Sequence, residues 1–233
     1  LWVIGLLHAV VLYHGDILTT YAVLGAVLLM LRRRSDVFLA RCAVGLVLAT
    51  ALLWAGMGYL WALAGIPQDT MRNAYGEAAA ALGAYRGTPA TVIVQHLREL
   101  SQIWWVTGLV QAPTALAMFF AGFIAGRRGL FANADAHRAL CRRLLFWGLA
   151  VGLPGALVYA FPSIRLDNPI RELYGLAATL LTAPFLAAAY AAGLVLLMQT
   201  RRGHALEGLL APAGRMALTN YLLQSLVCAW LFL

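Results

Sequence analysis

The sequence predicts an all-α protein, a polytopic transmembrane helix bundle with about seven membrane segments. Three observations carry this. Of 233 residues, 63% are hydrophobic and only 11% charged, with a mean hydropathy of +0.80. A soluble domain is about a quarter charged, because its surface must face water. The apolar residues fall in long runs, and the 17 basic residues, all Arg, gather in short clusters between them.

Taken in order, the apolar runs cover residues 1–13, 17–31, 37–64, 104–126, 144–161, 173–198 and 216–233. A helix needs about 20 residues at about 1.5 Å each to cross the hydrocarbon core. The middle runs meet that length, whereas the first two are short. The chain opens without Met inside one apolar run and ends inside another, so both ends are expected to be cut. No signal peptide is recognised.

Loop charge supplies an independent check. With His14-Gly15-Asp16 placed outside, the alternate inner loops hold twelve arginines: 32, 33, 34, 41, 127, 128, 138, 142, 143, 201, 202 and 215. The outer loops hold five, at 72, 86, 98, 165 and 171. That asymmetry is the positive-inside pattern of a multi-pass protein of an inner-type membrane, with the lipid bilayer as its partner. The net charge of +8 therefore reflects topology. Nucleic acid is not expected to bind, because there is no continuous basic face.

Residues 1–233 are expected to form a single transmembrane bundle, with residues 67–103 as an outer-face amphipathic connection. Within it Met71, Ala74, Tyr75, Ala78, Leu82 and Tyr85 recur at helical spacing between polar residues. Thr88-Pro89 reads as an N-cap followed by proline at the first helical position, starting a second short helix. Trp104 and Trp105 mark the interface where the fourth span enters.

Polar groups at membrane depth must find partners, so they carry the functional information. His8 lies about 12 Å below Asp16, Gln111 about 9 Å below Trp105, and Gln224 about 13 Å from Arg215 by helix rise. The three side chains are thus expected in one layer of the outer half, and at least two of them in a common polar cavity. Thr179 and Thr182 reach a similar depth. Thr107, Gln111 and Thr114 share one helix face, as do Asn220 and Gln224. Such stripes serve either as hydrogen-bond glue between helices or as the wall of a solvated site. Pro113, Pro154 and Pro184 interrupt apolar runs, and a helix kinked by proline can open a pocket.

Asp16 directly precedes an apolar helix, which suits an N-cap. The same carboxylate beside His14 or His8 would make an acid–base couple. Both readings of Asp16 stand, as do a structural and a chemical reading of His8. The cysteines Cys42, Cys141 and Cys228 lack metal spacing, and no metal site is expected. The hydrolase elbow, zinc-protease, nucleotide-loop and dinucleotide motifs are all absent from the sequence.

Three stretches resemble the YeiB-like family of bacterial integral membrane proteins, whose domain is of unknown function. The first is Gly5-Leu6-Leu7-His8-Ala9 with Gly15-Asp16-Ile17-Leu18 and Tyr21-Ala22. The second is Ala125-Gly126-Arg127-Arg128-Gly129-Leu130-Phe131 with His137-Arg138 and Arg142-Arg143. The third runs Gly214-Arg215-Met216-Ala217-Leu218-Thr219-Asn220-Tyr221-Leu222-Leu223-Gln224-Ser225. Tyr85, Gly87 and Arg98 resemble the family's outer loop. Members carry further helices at both ends.

The family is distantly similar to the transmembrane acyltransferase superfamily, which includes lysosomal heparan acetyltransferase. The resemblance implies transfer of an acyl group from a cytoplasmic donor to an acceptor on the far side by means of a histidine. That histidine lies upstream of the region matched here, so the resemblance gives His8 a motif position and no catalytic role.

The leading expectation is acyltransferase-like chemistry at the outer side. His8 and Asp16 are its catalytic candidates, and Gln111, Arg215, Asn220 and Gln224 its substrate-binding ones. No bound cofactor is expected, an acyl donor such as acyl-CoA being the co-substrate implied. The rivals are a small-molecule transporter, for which a midplane polar site is equally natural, and a non-catalytic membrane scaffold. Substrate and oligomeric state are not encoded in any motif.

Overall fold

The computed structural model describes residues 1–65, 68–165 and 168–232. Among them all regular structure is helical: α1 (Trp2–Val11), α2 (Leu18–Leu31), α3 (Asp36–Ala64), α4 (Gln68–Tyr85), α5 (Pro89–Val106), α6 (Ala112–Arg127), α7 (Arg138–Arg165), α8 (Pro169–Met198), α9 (Arg201–Arg215) and α10 (Ala217–Phe232). A turn of π-helix, Thr107–Gln111, joins α5 to α6. Four stretches are long and apolar enough to cross a membrane: Asp36–Ala64, Thr107–Arg127, Arg138–Phe161 and Pro169–Met198. Trp2–Val11, Leu18–Leu31 and Ala217–Leu231 are shorter apolar helices. Between 11% and 22% of each long apolar window is buried by protein, which leaves most of its side chains free to meet acyl chains.

Helix boundaries follow local chemistry. Ser35 caps α3 by accepting from the Phe38 amide at 3.3 Å, with Asp36 in the first turn where the helix dipole favours an acid. Gly65 ends α3 at φ 79°, a conformation that L side chains avoid. Asn168 caps α8 by accepting from Ile170 and Arg171 amides at 2.9 and 3.3 Å, with Pro169 at the first position. α5 begins at Pro89, and Thr88 and Thr91 exchange side-chain to amide bonds across its first turn. α5 does not stop before the next apolar run. It passes through the π-turn, where the Ala112 amide reaches back five residues to Thr107 O. Pro113 follows at once, and a proline lacks the amide needed to continue the ordinary ladder. α7 and α8, by contrast, run through Pro154 and Pro184 as single helices. Pro67 and Leu233, which bound the expected outer connection and last segment, lie outside the described residues, as do the side chains of Met71, Ala74, Tyr75 and Trp104.

The chain divides into two compact units. One comprises Leu1–Met30, Ile66–Ala112 and Ala213–Leu233, and the other Leu31–Gly65 and Pro113–Pro212. In the first, α5 packs against α1 and α4. In the second, α8 packs along α7 and against α3. The loop before α3 is pinned there by Arg127, which donates to Arg34 O at 2.8 Å, to Arg32 O and to Asp36 at 3.1 Å. Arg128 adds a bond to the same carboxylate at 3.1 Å.

Candidate functional site

α1 ends where the apolar run gives way to Tyr13-His14-Gly15-Asp16, and this turn folds Asp16 back against α1. Asp16 Oδ2 accepts from the Thr19 amide at 2.9 Å and the Thr19 hydroxyl at 3.1 Å, capping the start of α2. Its Oδ1 lies 3.1 Å from His8 Nδ1, and both side chains are 1% exposed. Tyr221 of α10 donates to Oδ1 at 3.4 Å, with its ring 4.8 Å from that of His8. One carboxylate thus caps α2 and also stands beside His8. The close approach depends on Gly5, where a Cβ would stand 2.7 Å from Asp16 Oδ2 and 2.6 Å from the Thr19 amide.

The His8–Asp16 separation is within ion-pair range but is not aligned as a hydrogen bond. Both ring nitrogens of His8 are buried without a hydrogen-bond partner among the described residues. Leaving such a group unsatisfied costs about 1–3 kcal/mol, so an unbonded imidazole at this depth calls for a reason. His8 borders a cavity of about 650 Å³ whose other walls include Ile4, Leu7, Thr219 and Leu222.

A second cavity, of about 630 Å³, is lined by Tyr13, His14, Tyr85, His96, Tyr221 and Gln224, among others. Behind it stands Glu99 of α5, which takes three contacts. Tyr85 donates to Oε2 at 2.5 Å, His14 Nδ1 lies 2.8 Å from Oε2, and Gln95 donates to Oε1 at 2.8 Å. His96, fully enclosed, sets its Nδ1 3.0 Å from Val10 O. Burial holds His14 below its ordinary pKa of 6.5; Glu99 pulls it upward and His96 pushes it down again. Burial, then the hydrogen bond and charge of Glu99, raise Tyr85, so its hydroxyl keeps its proton.

In the other unit a cavity of about 620 Å³ is lined by Phe131, Asp135, Leu194, Gln199, His204 and Glu207, among others. These residues stand in sequence beside the arginine clusters 127–128 and 201–202. The buried amide atoms of Gln199 have no hydrogen-bond partner among the described residues.

Of the sequence candidates, His8 and Asp16 come together, and Gln224 lies in the neighbouring cavity with Tyr221. Among the described residues His8 and Gln224 line different cavities, and Gln111 lines neither of these two. Gln111 sits on the π-turn, which breaks the regular spacing that put it on one face with Thr107 and Thr114. Asn220 donates to Ala213 O at 3.0 Å across the α9–α10 turn, and Arg215 is exposed at the end of α9. Thr179 and Thr182 bond to backbone carbonyls, Thr179 to Gly155 O at 3.2 Å, which is the glue role. Tyr85, His96, Glu99 and Tyr221 are site residues that sequence reasoning missed. The one signal that could have found Tyr221 is its place three residues before Gln224, on the same helix face.

All regular structure among the described residues is helical, and four stretches are long and apolar enough to span a membrane, in keeping with a membrane protein. Residues 125–233 match the model of a family described as a protein of unknown function, DUF418. That region holds the second and third of the YeiB-like stretches. The chain is 28% identical over 249 aligned residues to the uncharacterized protein YxaH of Bacillus subtilis (strain 168). The alignment covers 98% of this chain and 56% of YxaH, so the chain spans little more than half the length of that relative. No solved structure matches the chain.

Proposed function

We propose that this chain belongs to the YeiB-like family and forms the core of a multi-pass bacterial inner-membrane protein that transfers an acyl group to an acceptor at the outer side. The observation that carries this reading is His8, enclosed, unbonded at both nitrogens and 3.1 Å from the Asp16 carboxylate. A buried imidazole beside a carboxylate can accept a proton, because the carboxylate stabilises the cation that forms. His8 takes the proton of an acceptor hydroxyl as its oxygen attacks the acyl carbonyl carbon of a thioester donor. The carbon–sulfur bond breaks, and the departing thiolate takes the proton back from His8. Seven crossings follow if α1, α2 and α10 span with the four longer helices, their short apolar lengths being met by local thinning of the bilayer.

The test uses the full-length protein in proteoliposomes with radiolabelled acetyl-CoA and a bacterial extract as the source of acceptors. Label should pass to a new product, and His8→Ala should lower the rate by about 10²-fold or more, the scale of a lost acid–base group. Asp16→Asn keeps a competent cap but removes the charge, so its loss should approach that of His8→Ala. Transfer at the normal rate in both variants would end the case. Movement of an unaltered solute across the vesicle, with no acylated product, would point to the transporter instead.

A further inference from the structure

His14 is the accessible histidine of this unit. Its side chain is 22% exposed, against 1% for His8. Nδ1 lies 2.8 Å from Glu99 Oε2, which favours a proton on Nδ1 and leaves the lone pair on Nε2. Glu99 itself is fully engaged by Tyr85, His14 and Gln95. It therefore serves to orient the ring and is not open to a ligand of its own.

We propose that the 630 Å³ cavity binds a neutral hydroxyl-bearing ligand of the polyol or sugar class, with His14 Nε2 accepting the ligand's hydroxyl hydrogen and the Gln224 amide as a second polar contact. The chemistry of the wall selects this class. Tyr13, Tyr85, His96 and Tyr221 supply ring faces against which the C–H face of a sugar packs. Among the described residues no arginine lines the cavity to hold an anion, and Glu99 and Asp16, which contact its wall, would repel one. A cation would find tyrosine faces, but its carboxylate partner is already taken. This inference concerns a site distinct from His8 and stands whether or not His8 reacts.

The groups facing His14 are Tyr13 in its own turn, Tyr85 of α4, His96 and Glu99 of α5, and Tyr221 of α10. Diethyl pyrocarbonate, which modifies neutral imidazole, reads this site without knowledge of the natural ligand. The full chain in detergent is labelled between about pH 5 and 8, the range over which imidazoles titrate, and each histidine peptide is followed by mass spectrometry. His204, whose side chain is 71% exposed, is the reference. His14 should label with a half-maximal rate below pH 6.5, while His8 and His96 are spared. Glu99→Gln should move that midpoint lower, since the carboxylate raises it. Tyr85→Phe, which removes one hydroxyl and little packing, should leave His14 reactive. Methyl glucoside or glycerol should slow labelling at least about twofold once it passes its dissociation constant. The proposal is overturned if His14 stays silent while His204 labels, or if neither polyol protects. Protection by choline alone would likewise reject the ligand class.

Discussion

Asp16 uses its two oxygens differently, one to cap α2 through Thr19 and one to face His8 and Tyr221. Gly5 is what lets α1 come close enough for both. Gly5→Ala should therefore cost about 1–3 kcal/mol, the scale of overpacking, because the amide of Thr19 cannot swing aside as a flexible side chain could. A lower thermal midpoint in detergent is the expected reading, and an unchanged one would mean that α1 and α2 are looser than described. His14 makes a second residue-scale prediction. Its folded pKa lies below the 6.5 of the unfolded chain, so between those two values the unfolded state binds more protons. The contribution of His14 to stability is complete above pH 6.5 and is lost as pH falls through the folded pKa. Thermal midpoints measured downward from pH 6.5 should fall, and less steeply in His14→Gln. The His8–Asp16 pair was legible in the sequence because only eight residues separate them, His8 on α1 and Asp16 in the turn that follows it. Tyr221, Tyr85 and Glu99 were not, since each is brought to the site by a helix remote in sequence.

At the scale of elements, α7 and α8 approach through glycine. Gly148, Gly152 and Gly155 recur at spacings of four and three, and a Cβ at Gly152 would stand 2.6 Å from the Leu186 Cβ. At Gly148 it would meet the Phe185 carbonyl, and at Gly155 the Thr182 hydroxyl. Small residues let membrane helices pack backbone to backbone where no hydrophobic drive joins them. Gly152→Leu should lower the unfolding midpoint, again by about 1–3 kcal/mol. Gly45→Leu is the control, because nothing lies within 4 Å of its Cβ position on α3; it should leave the midpoint unchanged or higher. Equal losses in the two variants would remove the hairpin argument. The glycine spacing could be read along the chain, but its partner could not. The π-turn at Thr107–Gln111 was hidden for a related reason: Pro113 announces a local break without saying which hydrogen-bond register absorbs it.

For the whole molecule, composition and arginine placement carry the most information, because both answer directly to the bilayer. They fixed the helical class and the long apolar helices, while the division into two compact units depends on contacts that no composition records. The twelve-to-five arginine asymmetry predicts sidedness. In a background lacking Cys42, Cys141 and Cys228, single cysteines at Ala132 or Ala205 should resist a membrane-impermeant thiol reagent in intact cells. Those at Ala79 or Arg86 should label; the opposite pattern would invert the topology. Time gives the Tyr221 contact a further meaning. Tyr221 and Asp16 are 205 residues apart, and ribosomes add about 5–20 residues each second, so the tyrosine follows the carboxylate by roughly 10 to 40 seconds. Through that interval the Asp16 carboxylate lacks its Tyr221 hydroxyl partner. Any chemistry that uses the Tyr221 contact must therefore wait for α10, and a ribosome stalled before α10 leaves the site unfinished.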